Sequence, residues 1–236
     1  MGKYDATRYN HNLNRYPLEL EGPLGIPRIA PVRDLDPPPF TAFDFAVTRA
    51  RKGRGDRHGG VHFFRDDYRF DRLWSDPDAY VPMLRGYDVV LSPDFSTYVD
   101  WPVAVQAYNH FRKHWLGAYL QSQGCTVVPT ISWGTPDSHS WCFDGEPRGG
   151  IVAVGSRGSA ADPEVREWFE AGFEAMVERL RPQRVWAFGG RMAVYERYGG
   201  LVLPVTDENT QRLREVKMRA KMAKAAKRKE RENGQG

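Results

Sequence analysis

From residue 61 onward the apolar residues fall in short continuous runs, at 61–64, 88–91, 126–131, 151–154, 185–188 and 201–205. The runs are rich in β-branched and aromatic side chains, as strands covered on both faces should be; half-exposed strands would alternate. Two segments between them have a helical period instead. Over 101–123, Ala104, Tyr108, Phe111, Trp115 and Ala118 recur at 4-3-4-3 spacing, with Asp100 placed to cap, Pro102 in the first turn and Gly124 as the stop. Over 163–181 the apolar face is Val165, Trp168, Phe169, Gly172, Phe173, Met176, Val177 and Leu180, with Asp162 as cap and Pro163 first in the helix. Shorter helices are predicted at 78–84 and 191–198. Runs separated by such crossovers predict an α/β fold, a mostly parallel sheet of about six or more strands with packed helices, open or barrel-like.

The ends of the chain read differently. Residues 1–45 hold seven of the 17 prolines, which predicts an extended, non-helical arm. Its interleaved Tyr16, Leu18, Leu20, Leu24, Ile26, Ile29 and Phe40 suggest that the arm wraps the body. A basic stretch with four glycines follows at 49–60 and reads as a flexible loop. The expected division is therefore 1–60 as arm and loop packed on the body, 61–206 as the α/β domain, and 207–236 as a basic helical tail.

Composition narrows the classes. With 236 residues, 41% hydrophobic and 13% aromatic, the chain can bury a core without staples. No apolar stretch approaches the roughly 18 residues of a membrane span. The amino terminus carries no apolar signal core, and two cysteines are too few for a disulfide framework, so a cytoplasmic protein is expected. The net charge of +4 conceals an asymmetry. Between Arg212 and Arg231 there are ten basic and two acidic residues, a net +8, which leaves −4 on the rest.

A basic helical arm of that kind neutralises phosphates without reading sequence, which points to DNA or RNA as partner. Arg51, Lys52, Arg54 and Arg57 of the glycine loop and Lys217, Lys221, Lys224, Lys227 and Arg228 of the tail are the expected contacts. A partner protein docking on the tail, or a merely solvated tail, fits the same composition.

In parallel α/β sheets, ligands collect beyond the carboxyl ends of the strands. Two glycine turns leave strands there, Gly155-Ser156-Arg157-Gly158-Ser159 and Gly189-Gly190-Arg191. Ser156, Arg157, Ser159, Gly190 and Arg191 are candidate phosphate donors, although neither turn has the spacing of a known phosphate loop. Asp162 argues against a doubly charged phosphate directly on the following helix end. Asp66, Asp67, Asp94, Asp144 and Glu146 are the carboxylates available to a divalent cation, should they converge. Asp94 is preferred because Ser92-Pro93-Asp94 turns off a buried strand; an Asx-turn would use it equally well. Asp144 and His139 complete the candidate catalytic set. His110 and His114 have the i, i+4 spacing of a metal pair, but they border the apolar stripe and are expected to be partly exposed structural histidines. Trp133 and Trp141 would place aromatics on the rim for stacking, or would pack in the core.

The segments Leu91-Ser92-Pro93-Asp94-Phe95-Ser96, Val128-Pro129-Thr130-Ile131-Ser132-Trp133, Trp141-Cys142-Phe143-Asp144-Gly145 and Val152-Ala153-Val154-Gly155, followed by Arg181-Pro182 and the run from 185, occur in that order. Over roughly residues 42–205 this succession resembles the bacterial and phage family designated domain of unknown function 4417. The resemblance implies a setting in phages, plasmids and integrated elements and brings no catalytic residues with it. Three functions remain in play: a nucleic-acid-binding accessory protein of a phage or other mobile element, an enzyme acting on a nucleotide or phosphodiester at the rim, and a carbohydrate-active barrel enzyme. Whether the chain is an enzyme stays open.

Overall fold

The computed structural model describes residues 18–53, 58–159, 162–208, 210–212, 216, 218, 219 and 222. The chain opens with a two-residue hairpin, β1 (Leu20–Glu21) and β2 (Ile26–Pro27). It continues with β3 (Phe40–Ala42), α1 (Phe43–Arg51), β4 (Gly60–His62), α2 (Asp71–Ser75), α3 (Val81–Leu84), β5 (Val89–Leu91), α4 (Val103–Ser122), β6 (Val127–Val128) and β7 (Thr130–Ile131). Then come β8 (Ile151–Gly155), α5 (Pro163–Leu180), β9 (Arg184–Phe188), α6 (Ala193–Arg197) and β10 (Val202–Val205). Two four-stranded parallel sheets result, in the orders β3-β4-β5-β6 and β7-β8-β9-β10. Spatial order follows chain order throughout.

Pro129, between β6 and β7, has no N–H to give to a ladder, and the two sheets meet there. Ser92 stitches the gap. Its hydroxyl accepts from the Thr130 N–H at 2.8 Å, and the Thr130 hydroxyl donates to the Ser92 carbonyl at 2.8 Å. On β8 the two faces separate cleanly by strand periodicity. Ile151 and Ala153 join the core that contains Phe40, Trp186 and Phe188, whereas Val152 and Val154 pack under α5 with Phe169, Phe173, Met176 and Leu180. The strand assembly is open but curled. Phe40 of β3 lies 5.7 Å from Trp186 and 5.1 Å from Phe188 of β9, and Arg49 pairs with Glu208 beyond β10 at 2.7 Å.

The parallel sheet begins earlier than the sequence pattern predicts. Phe40–Ala42 is its first strand, and α1 occupies residues expected as arm and loop, because Phe43, Ala46 and Val47 form a buried face. The stretch before it, 18–39, crosses the amino ends of the strands. The Ile151 N–H donates to the Val32 carbonyl at 2.8 Å, the Asp34 N–H to Gln183 at 3.0 Å, and the Gly60 N–H to the Pro39 carbonyl at 2.9 Å. Ile26 and Ile29 are buried, and Val32 and Leu35 pack on the core. The amino-end mouth of the curl is thereby covered.

Helix α5 matches its prediction, and Asp162 caps it by accepting from the N–H groups of Glu164 and Val165. Helix α4 does not. It starts at Val103 with no side-chain cap, and of the predicted stripe Tyr108 is exposed while Trp115 and Ala118 are buried. The face that is buried through its first three turns is Gln106, Asn109, His110, Lys113 and His114. The two histidines, expected partly exposed, are 1% and 0% exposed. Between β7 and β8 no α-helix crosses; residues 132–150 form a 3-10 turn, Pro136–Ser140, and a loop that folds onto this polar face.

Candidate functional site: the carboxyl-end rim and the polar face of α4

The strand ends bring together residues from distant parts of the chain. At the end of β4, His62 is buried. Its Nδ1 accepts from the Phe64 N–H at 3.2 Å, so a neutral ring carries its proton on Nε2, and Nε2 has no hydrogen-bond partner among the described residues. Burial lowers this imidazole to about 4, with Arg65 and Arg157 pushing the same way and Asp207 and Asp44 opposing. The ring is thus neutral near pH 7 and offers a donor. Arg65 Nε is a second buried donor without a partner; another of its nitrogens lies 3.6 Å from Asp44, which also pairs with Arg69 at 3.2 Å. Phe64 and Phe188, with centroids 4.6 Å apart, line the same rim.

Of the predicted phosphate donors, Ser156 is buried and its hydroxyl donates to the Gly190 carbonyl at 2.9 Å, tying the two glycine turns together. Gly189, at φ +103°, is required there, because a Cβ would fall 2.7 Å from that hydroxyl. Arg157 is exposed, Ser159 is half-buried, and Arg191 is exposed and pairs with Glu196 at 3.2 Å. Arg51 and Lys52 lie exposed at the end of α1. Arg54, Arg57, Lys217, Lys221, Lys224, Lys227 and Arg228 lie outside the described residues.

Two of the three predicted catalytic residues share a partner: Arg179 lies 3.6 Å from Asp144 and donates to the His139 carbonyl at 2.8 Å. Asp94, half-buried beyond β5, has its carboxyl pushed up to about 7 by burial; Lys113 opposes that shift and Asp67 adds to it. Asp67 itself accepts from the Ser96 N–H and hydroxyl. Asp144 lies elsewhere, 3.6 Å from Arg179 and against the hairpin turn at Gly22. Burial raises it above the usual carboxylate range, the nearby Arg179 notwithstanding. His139 is half-buried 5.8 Å from Phe143, and burial lowers its imidazole. Trp133 packs on Phe169 and over Gly172, and Trp141 on His110 at 5.6 Å.

Beneath Asp94 lies the polar face of α4. Lys113 Nζ donates to Glu146 Oε1 at 2.8 Å, and His114 Nε2 is 2.9 Å from the same oxygen. All three side chains are 0–1% exposed. Burial alone would raise the Glu146 carboxyl, but His114 and Lys113 together hold it below its ordinary value. His110 Nε2 lies 3.1 Å from the Asp144 carbonyl and His114 Nδ1 2.9 Å from the Pro27 carbonyl. A carbonyl only accepts, so both nitrogens are donors.

Sequence reasoning overlooked His62 and Lys113, and it named Glu146 only as a carboxylate available to a cation, without its partners. His62 sits inside an apolar run, and nothing in the local pattern joins Lys113 to a partner 33 residues away. The one available signal was the polar series 106, 109, 110, 113, 114, which has a helical period of its own.

The chain matches the family described as "Domain of unknown function (DUF4417)" over residues 18–201. It is 37% identical over 188 residues to "Gene 1 protein" of Mycobacterium phage L5, covering 80% of this chain and 79% of that protein. It is 38% identical over 161 residues to "Gene 1 protein" of Mycobacterium phage D29, covering 67% of this chain and 60% of that protein. No solved structure matches it significantly.

Proposed function

We infer, for a chain that belongs to the DUF4417 family and has phage relatives, that the α/β body receives the phosphates of a nucleic acid at its carboxyl-end rim. One observation carries this reading: the buried, unpartnered Nε2–H of His62, set among Arg65 and Arg157, is a donor waiting for an acceptor. A phosphate oxygen answers that need with charge as well as geometry. The closed amino-end mouth leaves this rim as the approach to the curl, and half-buried Phe64 gives a base a ring to lie against. The net +8 between Arg212 and Arg231 adds attraction without sequence preference. Exposed Arg157 and Arg191 are the contacts that orient the backbone.

A second reading, a nucleotide or phosphodiester enzyme on the same rim, is favoured by Asp94, whose carboxyl at about 7 is poised to exchange a proton near neutrality.

Fluorescence anisotropy with short single- and double-stranded DNA and RNA, at two salt concentrations, tests the binding. The full chain is expected to bind with a steep salt dependence, each duplex phosphate neutralised contributing about −0.9 to the log–log slope. Truncation after Arg212 should flatten that slope while leaving weaker binding to the body. Replacing Arg157 and Arg191 by alanine in the truncated chain should abolish what remains. Failure of the full chain to bind any of the four probes overturns the reading.

A further inference from the structure

We propose that His110, His114 and Glu146 form a binding site for one divalent transition metal ion, between α4 and the loop that replaces a crossover helix. One ligand atom from each lies within 4.8 Å of the others, and all three side chains are buried. The site is separate from the phosphate-binding rim, and neither reading depends on the other.

The hydrogen bonds decide which atoms are available. His110 Nε2 donates to the Asp144 carbonyl, which leaves the lone pair on Nδ1, and Nδ1 has no partner among the described residues. His114 Nδ1 donates to the Pro27 carbonyl, which leaves the lone pair on Nε2, directed at Glu146. Each imidazole is thus held by a backbone carbonyl in the tautomer a metal requires, the usual arrangement around histidine ligands. Glu146 contributes Oε2, which is buried and has no hydrogen-bond partner among the described residues.

His114 Nε2 lies 2.9 Å from Glu146 Oε1, so in the metal-free chain a proton bridges the two, and an incoming metal ion displaces that proton to reach the nitrogen lone pair. Two imidazole nitrogens and one carboxylate are a borderline donor set, suited to zinc, iron(II) or cobalt(II) and unsuited to calcium or magnesium.

Lys113 opposes a cation there, with its Nζ 2.8 Å from Glu146 Oε1. It also supplies the sharpest test, because Lys113→Met removes a competing charge and keeps all three donors.

The full chain, stripped with a chelator and titrated with Co²⁺, should take up one ion per chain and develop visible d–d absorption. His110→Gln should remove the band, and Lys113→Met should bind Co²⁺ at least tenfold more tightly than the native chain. Circular dichroism of each variant checks the fold. The proposal is overturned if the native chain shows no stoichiometric, band-bearing Co²⁺. It is overturned equally if the band survives in folded His110→Gln, or if folded Lys113→Met binds no more tightly. Should either variant fail to fold, the native titration alone decides.

Discussion

Helices α4 and α5 are of nearly equal length, 20 and 18 residues, and each connects neighbouring strands of the parallel assembly. They are held by opposite means. Helix α5 presents Phe169, Gly172, Phe173, Met176 and Leu180 to the sheet, and its contacts are hydrophobic burial and packing. Helix α4 turns Gln106, Asn109, His110, Lys113 and His114 inward through its first three turns, and only its last turns bury Leu116, Tyr119 and Leu120. Burying a charge is costly unless it is paired, and breaking such a pair costs more than the pair contributes. A helix that needed only anchoring would have been built like α5. The inward face of α4 is thus held by paired polar groups, and that of α5 by apolar packing.

The comparison can be broken most sharply by removing one group from each helix interface. Phe173→Ala should destabilise the fold by about 3–5 kcal/mol through its cavity, and Glu146→Ala by about 3–5 kcal/mol by stranding Lys113. The two losses differ in what repairs them. Adding Lys113→Met should restore much of the Glu146→Ala loss and none of the Phe173→Ala loss, as urea unfolding of the single and double variants will show.

The pH response separates the helices next. The Asp94 carboxyl beside Lys113 is raised from its ordinary 3.8 to about 7, so between these values the folded chain holds a proton that the unfolded chain has released. Its contribution to stability is present at low pH and lost as pH rises through about 7, with a slope of about 1.4 kcal/mol for each pH unit in between. His62, lowered to about 4, acts with the opposite sign, its contribution being lost as pH falls from 6.5 towards 4. From about pH 4 to 6.5 the two slopes oppose each other, so Asp94→Asn should leave urea midpoints rising with pH over that interval, where those of the native chain stay nearly level. Phe173→Ala should shift the whole profile downward without changing its shape. The smallest effect belongs to the cap: Asp162→Ala should cost about 1 kcal/mol at every pH above the carboxylate range.

The same contrast explains what the sequence discloses. Helix α5 is legible because its apolar residues keep a helical period, and β5, β8, β9 and β10 because they read as continuous apolar runs; β6 and β7 are read as one run, 126–131, which Pro129 divides between two sheets. Helix α4 is legible as a helix, but its orientation is not. An apolar stripe is assumed to face inward, and the rule fails when charges are paired by residues that arrive from a distant loop. β3 is missed because three residues following Pro37-Pro38-Pro39 carry too little pattern to outweigh the prolines. Asp94 is legible because a polar turn leaves a buried strand. His62 is hidden by its apolar neighbours, and the pairing of Lys113 and Glu146 by the absence of any local rule that joins them.

That within each parallel sheet every strand pairs with its neighbour in sequence bears on how the molecule is made. A ribosome releasing this chain delivers β3 to β10 in the order in which they are stacked, so the sheet can grow at one edge as it emerges. The segment 18–39 cannot join in that order. Its partners are Gln121, Gly145, Ile151 and Gln183, all synthesised after it. The first described stretch to leave the ribosome thus completes its contacts only after residue 183 has emerged. Its docking also brings the Pro27 carbonyl to His114, so the polar face of α4 is finished by a segment made long before it.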